Sequence, residues 1–141
     1  MATKADFTEA EWTLLQRGLT GSAMLVSLSD RDFTDTFGEV GAMTKYLQGQ
    51  QAAASSDFVR ELAKTHGTGF GLTTSLDEMR TETLAALQAS RTALTAKAPD
   101  ELDGYRQLVL GVAQAVADAK GGLKPAEGSM LEEIRQALEV A

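Results

Sequence analysis

The fold of this chain is decided in residues 100–122, which read DELDGYRQLVLGVAQAVADAKGG. The apolar side chains of this stretch recur in alternating steps of three and four, the repeat that places them along one face of an α-helix. They are Leu102, Tyr105, Val109, Val112, Val116 and Ala119. Because Gly121 and Gly122 then end the pattern, the stretch predicts a long amphipathic helix that buries its apolar face against other parts of the chain.

The remainder of the sequence also predicts helices. The spacing of a capping box, in which two side chains satisfy the exposed amides of a helix start, occurs at Thr8 with Glu11 and at Ser75 with Glu78. No segment shows the alternation of apolar and polar residues that is typical of a strand. We therefore expect an all-α, single-domain bundle of roughly five to seven helices over residues 1–141, without a sheet.

Glycines occur at the end of one predicted helix and within another. Gly18 or Gly21 would permit a break or turn after the first helix, which we expect to end near Arg17, and a short apolar helix over residues 23–28 would follow. The next helix has an apolar stripe made of Phe33, Phe37, Val40, Thr44 and Leu47. Gly38 and Gly41 lie beside this stripe, where we expect them to let a neighbouring helix approach closely.

Composition and charge exclude several classes of function. The 141-residue chain suits one compact domain, and its formal charge is −7. Its basic residues are spread singly, so it lacks the Lys and Arg clusters that binding to nucleic acid or to an anionic membrane requires. It has no cysteine, which excludes disulfides, thiolate metal sites and cysteine nucleophiles. Without a signal-peptide pattern or an apolar stretch of membrane-spanning length, we expect a cytoplasmic protein.

Acidic residues supply the candidate metal ligands. Asp32, Asp35 and Glu39 are separated by three and four residues, so on a helix they share one face and could bind a hard divalent cation. The alternative is a solvated face with acids near a helix start. A ferritin-like metal site would need Glu-x-x-His motifs on several helices, and the chain has a single histidine. We predict no cofactor.

That histidine, His66, is the first suspect for catalysis. It would end a short helix that begins at Asp57, and it precedes the glycine-rich residues 67–71. This segment follows a helix rather than a strand and lacks the lysine of a phosphate-binding loop, so we interpret it as an interhelical connection. A histidine at that position more often interacts with the carboxyl end of its helix. No serine nucleophile motif is present either, and we predict a protein that is not an enzyme and has no catalytic residue.

Methionines and the single tryptophan can serve either the core or a ligand. Methionine fills irregular apolar space, so it can line an adaptable pocket, although at helical spacing it is more often part of the core. The methionines concerned are Met24, Met43, Met79 and Met130. Trp12 would either close the core or anchor a partner. These side chains leave a small-molecule pocket open as an alternative.

Two short segments resemble known bacterial proteins. Residues 112–138 resemble the helix–turn–helix segment of tellurite-resistance protein B-like domains, with an alanine-rich helix, a Gly-Leu turn and Glu127 soon after the next helix starts. The apolar positions that follow are Leu131, Ile134 and Leu138. That family has an acidic Asp-Gly pair in the turn, where this chain has Lys120-Gly121-Gly122. The opening residues 7–12 also resemble the start of uncharacterised bacterial helical proteins, and both resemblances imply an accessory or stress-related protein.

Two kinds of function fit these patterns. The first is a noncatalytic module that binds a protein partner or forms a homo-oligomer through an apolar patch left exposed after the bundle closes. The alternative is a helical bundle that binds a small molecule or a divalent metal. Neither function involves nucleic acid or a membrane. The first requires an exposed apolar surface and the second a cavity or a cluster of ligands, so the structure bears on both.

Overall fold

A computed structural model of the chain describes residues 4–29, 36–54, 56–64, 75–119 and 125–138, with the side chains at 27–29, 36–40, 76, 119 and 125–127 left out. Its helices are α1 (Glu9–Ser29), α2 (Thr36–Ala53), α3 (Asp57–Leu62), α4 (Leu76–Lys97), α5 (Leu102–Ala119) and α6 (Pro125–Leu138). Short 3-10 turns precede α1 and α5, at Lys4–Asp6 and Pro99–Glu101. These ranges contain no strand, and their apolar side chains form one core. The all-α, single-domain prediction is confirmed.

The start of α1 has the predicted capping box. The Thr8 amide donates to Glu11 Oε1 at 2.8 Å, and the Glu11 amide donates to Thr8 Oγ1 at 3.1 Å. Phe7 precedes the cap and packs against Trp12 in the first turn, with ring centroids 6.1 Å apart, which makes it a hydrophobic staple. Both rings also contact Phe58 of α3. Trp12, only 5% exposed, therefore closes the core at this end.

Helix α1 is continuous through Gly18 and Gly21, so the predicted break is wrong. Glycine disfavours a helix interior by only about 1 kcal/mol, and here it permits close packing. A Cβ at Gly18 would overlap the Tyr105 hydroxyl and lie 2.9 Å from Leu87 Cδ2, and a Cβ at Gly21 would overlap the Thr83 hydroxyl. The two glycines let α1 lie close to α4 and α5.

Helix α1 is the centre of the described bundle. It packs most extensively against α4, then against α5 and α6, whereas α2 packs mainly against α5. Tyr105 of α5 is fully buried and donates its hydroxyl to the carbonyl of Leu15, at 2.9 Å. Burial raises the pKa of the Tyr105 hydroxyl, and its contact with Ser90 opposes that rise. The first and the later helices are thus joined by a buried hydrogen bond as well as by apolar contact.

The predicted stripe on α2 differs from its packed face. Met43 and Leu47 are buried, but Thr44 is exposed, so the inward face runs through Met43 rather than Thr44. Gly41 is also exposed, and a Cβ there would meet nothing within 4 Å. The expectation that Gly41 admits a neighbouring helix is therefore wrong. The side chains at 33, 37, 38 and 40 lie outside the described part of the chain.

Two other sequence predictions concern α3 and α4. Helix α3 ends at Leu62 and passes into a turn, short of the predicted end at His66. Helix α4 begins as predicted, because the Ser75 hydroxyl accepts a hydrogen bond from the Glu78 amide at 3.1 Å. Among the helices that the structure describes, none combines the length and the apolar character needed to cross a bilayer.

Candidate functional site

The sites expected from the sequence fall mostly outside the described residues. Asp32 and Asp35 lie there, as do His66 and the glycine-rich residues 67–71. Glu39 belongs to α2, but its side chain is not described. Across the ranges that the structure covers, no three acidic, histidine or cysteine side chains come together as metal ligands. The cation site at Asp32, Asp35 and Glu39 stays a prediction.

The methionines lie in the core. Met43, Met79 and Met130 are buried, and Met24 is half-buried against the same core. None of them lines the cleft described next. A ligand pocket lined by these methionines stays a prediction.

A cleft of about 430 Å³ lies where α2, α3 and the beginning of α5 meet. Tyr46, Gln50 and Ala53 line it from α2. Ser56 and Val59 form the α3 side. Asp100 and Glu101 lie on the 3-10 turn before α5, and Gly104, Gln107 and Leu108 follow on α5 itself. A volume of this size falls within the range of small-molecule sites in proteins.

Local hydrogen bonds fix the corner between α2 and α3 that forms one wall of the cleft. Ser56 is the N-cap of α3, and its hydroxyl accepts a hydrogen bond from the Val59 amide at 3.1 Å. Arg60 donates from Nη2 to the Ala54 carbonyl at 3.0 Å, and Gln51 donates from Nε2 to the Ala63 carbonyl at 3.0 Å. The end of α2 is thereby held against α3, which positions the cleft-lining side chains of both helices.

Two glycines of α5 let side chains of α2 and α3 approach its backbone. A Cβ at Gly111 would overlap the Tyr46 hydroxyl, so this glycine admits the end of the Tyr46 ring against the backbone of α5. A Cβ at Gly104 would lie 3.1 Å from Val59 Cγ2, which shows how closely α3 approaches α5. Burial raises the pKa of the Tyr46 hydroxyl. It therefore stays protonated at neutral pH and can both donate and accept a hydrogen bond.

The charge of the cleft is entirely acidic. Asp100 is exposed at the rim, whereas Glu101 is only 7% exposed although it lines the cleft. No described side chain forms a hydrogen bond or an ion pair with the Glu101 carboxylate, and the cleft lining contains no Lys, Arg or His. An acidic residue that is mostly buried and yet lines a cleft without a described partner distinguishes this cleft from an ordinary surface depression.

This site could not be found from the sequence. Asp100 and Glu101 follow Pro99 at the start of a helix, where acids are common because they interact favourably with the helix dipole. Nothing in that local pattern indicates that Glu101 becomes buried or that Tyr46 and Gln50 lie nearby. Only the packing of α2 and α3 against α5 brings these residues together.

Comparison with known proteins gives no relative: no family model, no curated protein and no solved structure matches the chain. The segment that resembles tellurite-resistance protein B-like domains has two helices, and both are present, as the end of α5 and as α6. The family relationship itself stays a prediction.

Proposed function

We propose that this protein is a noncatalytic helical binding protein that takes up a small polar molecule in the cleft between α2, α3 and α5. The observation that carries the proposal is Glu101, a residue only 7% exposed that lines a cleft of about 430 Å³ and whose carboxylate has no partner among the described side chains. Of the two functions expected from the sequence, this one corresponds to the small-molecule alternative.

The chemistry of the lining supports binding rather than catalysis. No histidine, cysteine or lysine lines the cleft to act as a nucleophile or as a base near neutral pH. The Ser56 hydroxyl already accepts the hydrogen bond that caps α3. The remaining polar groups, on Tyr46, Gln50 and Gln107, are suited to orienting a ligand by hydrogen bonds.

Association through an apolar patch receives less support. Every large apolar side chain that the structure describes is buried or half-buried, and the exposed surface carries only small or polar residues. A contiguous exposed apolar patch is what such an interface would need. Binding to a protein partner or to a second copy therefore stays a prediction that depends on other residues of the chain.

We also propose that the protein is located in the cytoplasm, as expected from the sequence. Cell fractionation tests this location.

The test compares substitutions at neighbouring residues of α2. Ala53 is exposed and lines the cleft, whereas Ala52 is exposed and does not, so Ala53→Phe should fill the cleft and Ala52→Phe should not. We expect a library of small polar compounds to yield binders that shift backbone amide NMR signals of residues 46–59 and 100–108. These shifts should disappear in Ala53→Phe and persist in Ala52→Phe. Compounds that bind both variants equally would refute the cleft as the site.

A further inference from the structure

We propose that the ligand of the cleft is a small organic cation, with a primary ammonium or guanidinium group placed at Glu101. This inference rests on the proposed function, because it assigns the ligand class of the same cleft. It follows from the charge of the lining, the burial of Glu101 and the engagement of two adjoining arginines elsewhere.

Two arginines that adjoin cleft-lining residues in the chain are engaged with other groups. Arg60 donates to Asp57 Oδ1 at 2.6 Å and to the Ala54 carbonyl at 3.0 Å. Arg106 follows the cleft-lining Gly104, but its Nε donates to the Leu138 carbonyl at 2.8 Å. Neither arginine lines the cleft. The cleft lining itself contains no basic side chain, so it supplies no positive charge to complement Glu101.

The burial of Glu101 supports the proposal independently of the acidic charge of the rim. The residue is more than nine-tenths buried, with 7% of its surface exposed, and it lines a cleft that is open to solvent. A carboxylate that has no partner within the protein gains most from a donor that is itself charged. An alternative is that Glu101 only stabilises the first turn of α5 through the helix dipole. That role would leave ligand binding unchanged when the charge is removed.

The size and the other groups of the cleft favour an organic cation over a metal ion. Divalent cations need several oxygen ligands converging on one point, and no third acidic side chain joins Asp100 and Glu101 in the lining. The volume of about 430 Å³ leaves room for a carbon chain beyond the charged group. Gln50 and Gln107 offer further acceptors, and Tyr46 adds an aromatic side chain, a type that attracts cations, to the lining.

The source of the cation is a free small molecule rather than a basic side chain of a partner protein. A protein partner would cover the surroundings of the cleft as well as the cleft itself, and interface centres are rich in aromatic and apolar contacts. Each large apolar side chain of the described residues is buried or half-buried, which leaves such a partner little apolar surface to cover. A free cation needs only the cleft.

The test uses ligands of equal chain length and different charge. We expect 1-aminobutane and agmatine to shift the amide signals of residues 46–59 and 100–108, and we expect butan-1-ol and butyrate to do so much more weakly. Glu101→Gln keeps the side-chain volume and should weaken the binding of agmatine at least about tenfold, the loss expected for a charge-assisted hydrogen bond. The matched control is Glu82→Gln, because Glu82 is exposed on α4 and does not line the cleft. Its affinity for agmatine should match that of the unaltered protein.

A second pair of variants covers the possibility that Glu101→Gln does not fold. Ala53→Lys places an ammonium group in the cleft lining and should compete with agmatine, whereas Ala52→Lys adds the same charge outside the lining and should not. Circular dichroism of each variant establishes that it is folded. Unchanged agmatine affinity in Ala53→Lys or in folded Glu101→Gln would overturn the assignment of the cation to Glu101.

The remaining outcomes separate the ligand class from the binding function. If butan-1-ol or butyrate shifts the cleft signals as strongly as 1-aminobutane does, the cleft binds ligands but the cation assignment falls. If a blocked arginine peptide binds and agmatine does not, the assignment to a free small molecule falls. If no probe or library compound shifts the cleft signals, the proposed function falls together with the inference.

Discussion

At the scale of single residues, Gly18 makes the sharpest prediction. On helix propensity alone, Gly18→Ala should stabilise α1. We expect the opposite, a loss of about 1–3 kcal/mol in the free energy of unfolding, because the methyl group overlaps the Tyr105 hydroxyl and presses on Leu87. Urea denaturation measures the change. Gly41→Ala is the matched control: with nothing within 4 Å of its Cβ, it should stabilise the protein by about 0.5–1 kcal/mol.

Combining Gly18→Ala with Tyr105→Phe tests the cause of that loss. Removing the hydroxyl should cost about 1 kcal/mol in the native protein, because it eliminates the hydrogen bond to Leu15. In Gly18→Ala the same substitution should cost less, since it also relieves the overlap. Strictly additive effects would mean that the hydroxyl is not what excludes a methyl group at residue 18.

Residues also show where sequence patterns suffice and where they do not. The bonds between Thr8 and Glu11 span three positions and form within one turn of helix, so their spacing alone predicts them. A glycine with neighbours like those of Gly18 can either break a helix or let another helix approach closely, and its local sequence is similar in both cases. The choice between these roles depends on Tyr105 and Leu87, which are distant in the sequence.

At the scale of helices, an ion pair joins the start of α1 to the end of α4. Lys97 Nζ contacts Glu11 Oε1, the carboxylate that also accepts the Thr8 amide. The hydrogen bond from Lys97, followed by the one from the Thr8 backbone, holds the pKa of Glu11 below its ordinary value of 4.5. The ionised form of Glu11 is therefore favoured more strongly in the folded protein than in the unfolded chain.

This pKa shift predicts how stability depends on pH. Since the folded pKa is the lower one, the contribution of Glu11 is fully present above pH 4.5 and is lost as the pH falls through the folded pKa. Glu11→Gln should thus be less stable than the unaltered protein at neutral pH, and the difference should shrink in acid. Urea midpoints measured over a pH series test this. The exposed neighbour Glu9 serves as the control, and a difference that is independent of pH would contradict the prediction.

The presence of helices could be predicted more completely than the face that each helix buries. The existence and type of the described helices follow from caps and apolar repeats, which are properties of neighbouring residues. On α2, however, Thr44 fitted the repeat and Met43 is the buried residue. A shift of one position rotates the face of a helix by about 100°, and the position of α5 determines which face is buried.

At the scale of the whole molecule, the core should unfold as a unit. Ile134 of α6 and Trp12 of α1 belong to the same cluster of buried side chains. We expect Ile134→Ala to cost about 2–5 kcal/mol and to lower the urea midpoints measured by Trp12 fluorescence and by circular dichroism to the same extent. Glu132→Ala, an exposed change on the same helix, should leave both midpoints nearly unchanged. Separate midpoints in Ile134→Ala would show that α6 unfolds independently.

The cleft is a property of the whole molecule, which explains why no sequence pattern predicted it. Its walls come from residues 46–59 and from residues 100–108, two segments that lie on opposite sides of α4 in the chain. Each lining residue is unremarkable in its local context: a tyrosine and a glutamine on a helix, a serine cap, and two acids at a helix start. Their common function depends on tertiary packing, the least predictable level of structure for a single sequence.

The central position of α1 affects how the protein is made. On the ribosome, α1 leaves the exit tunnel before α4, α5 and α6, the helices against which it packs most, have been synthesised. Its apolar side chains, among them Leu15, Leu19 and Leu25, have no complete core to enter until the carboxyl-terminal half emerges. The nascent chain thus exposes these apolar side chains until the later helices have been synthesised.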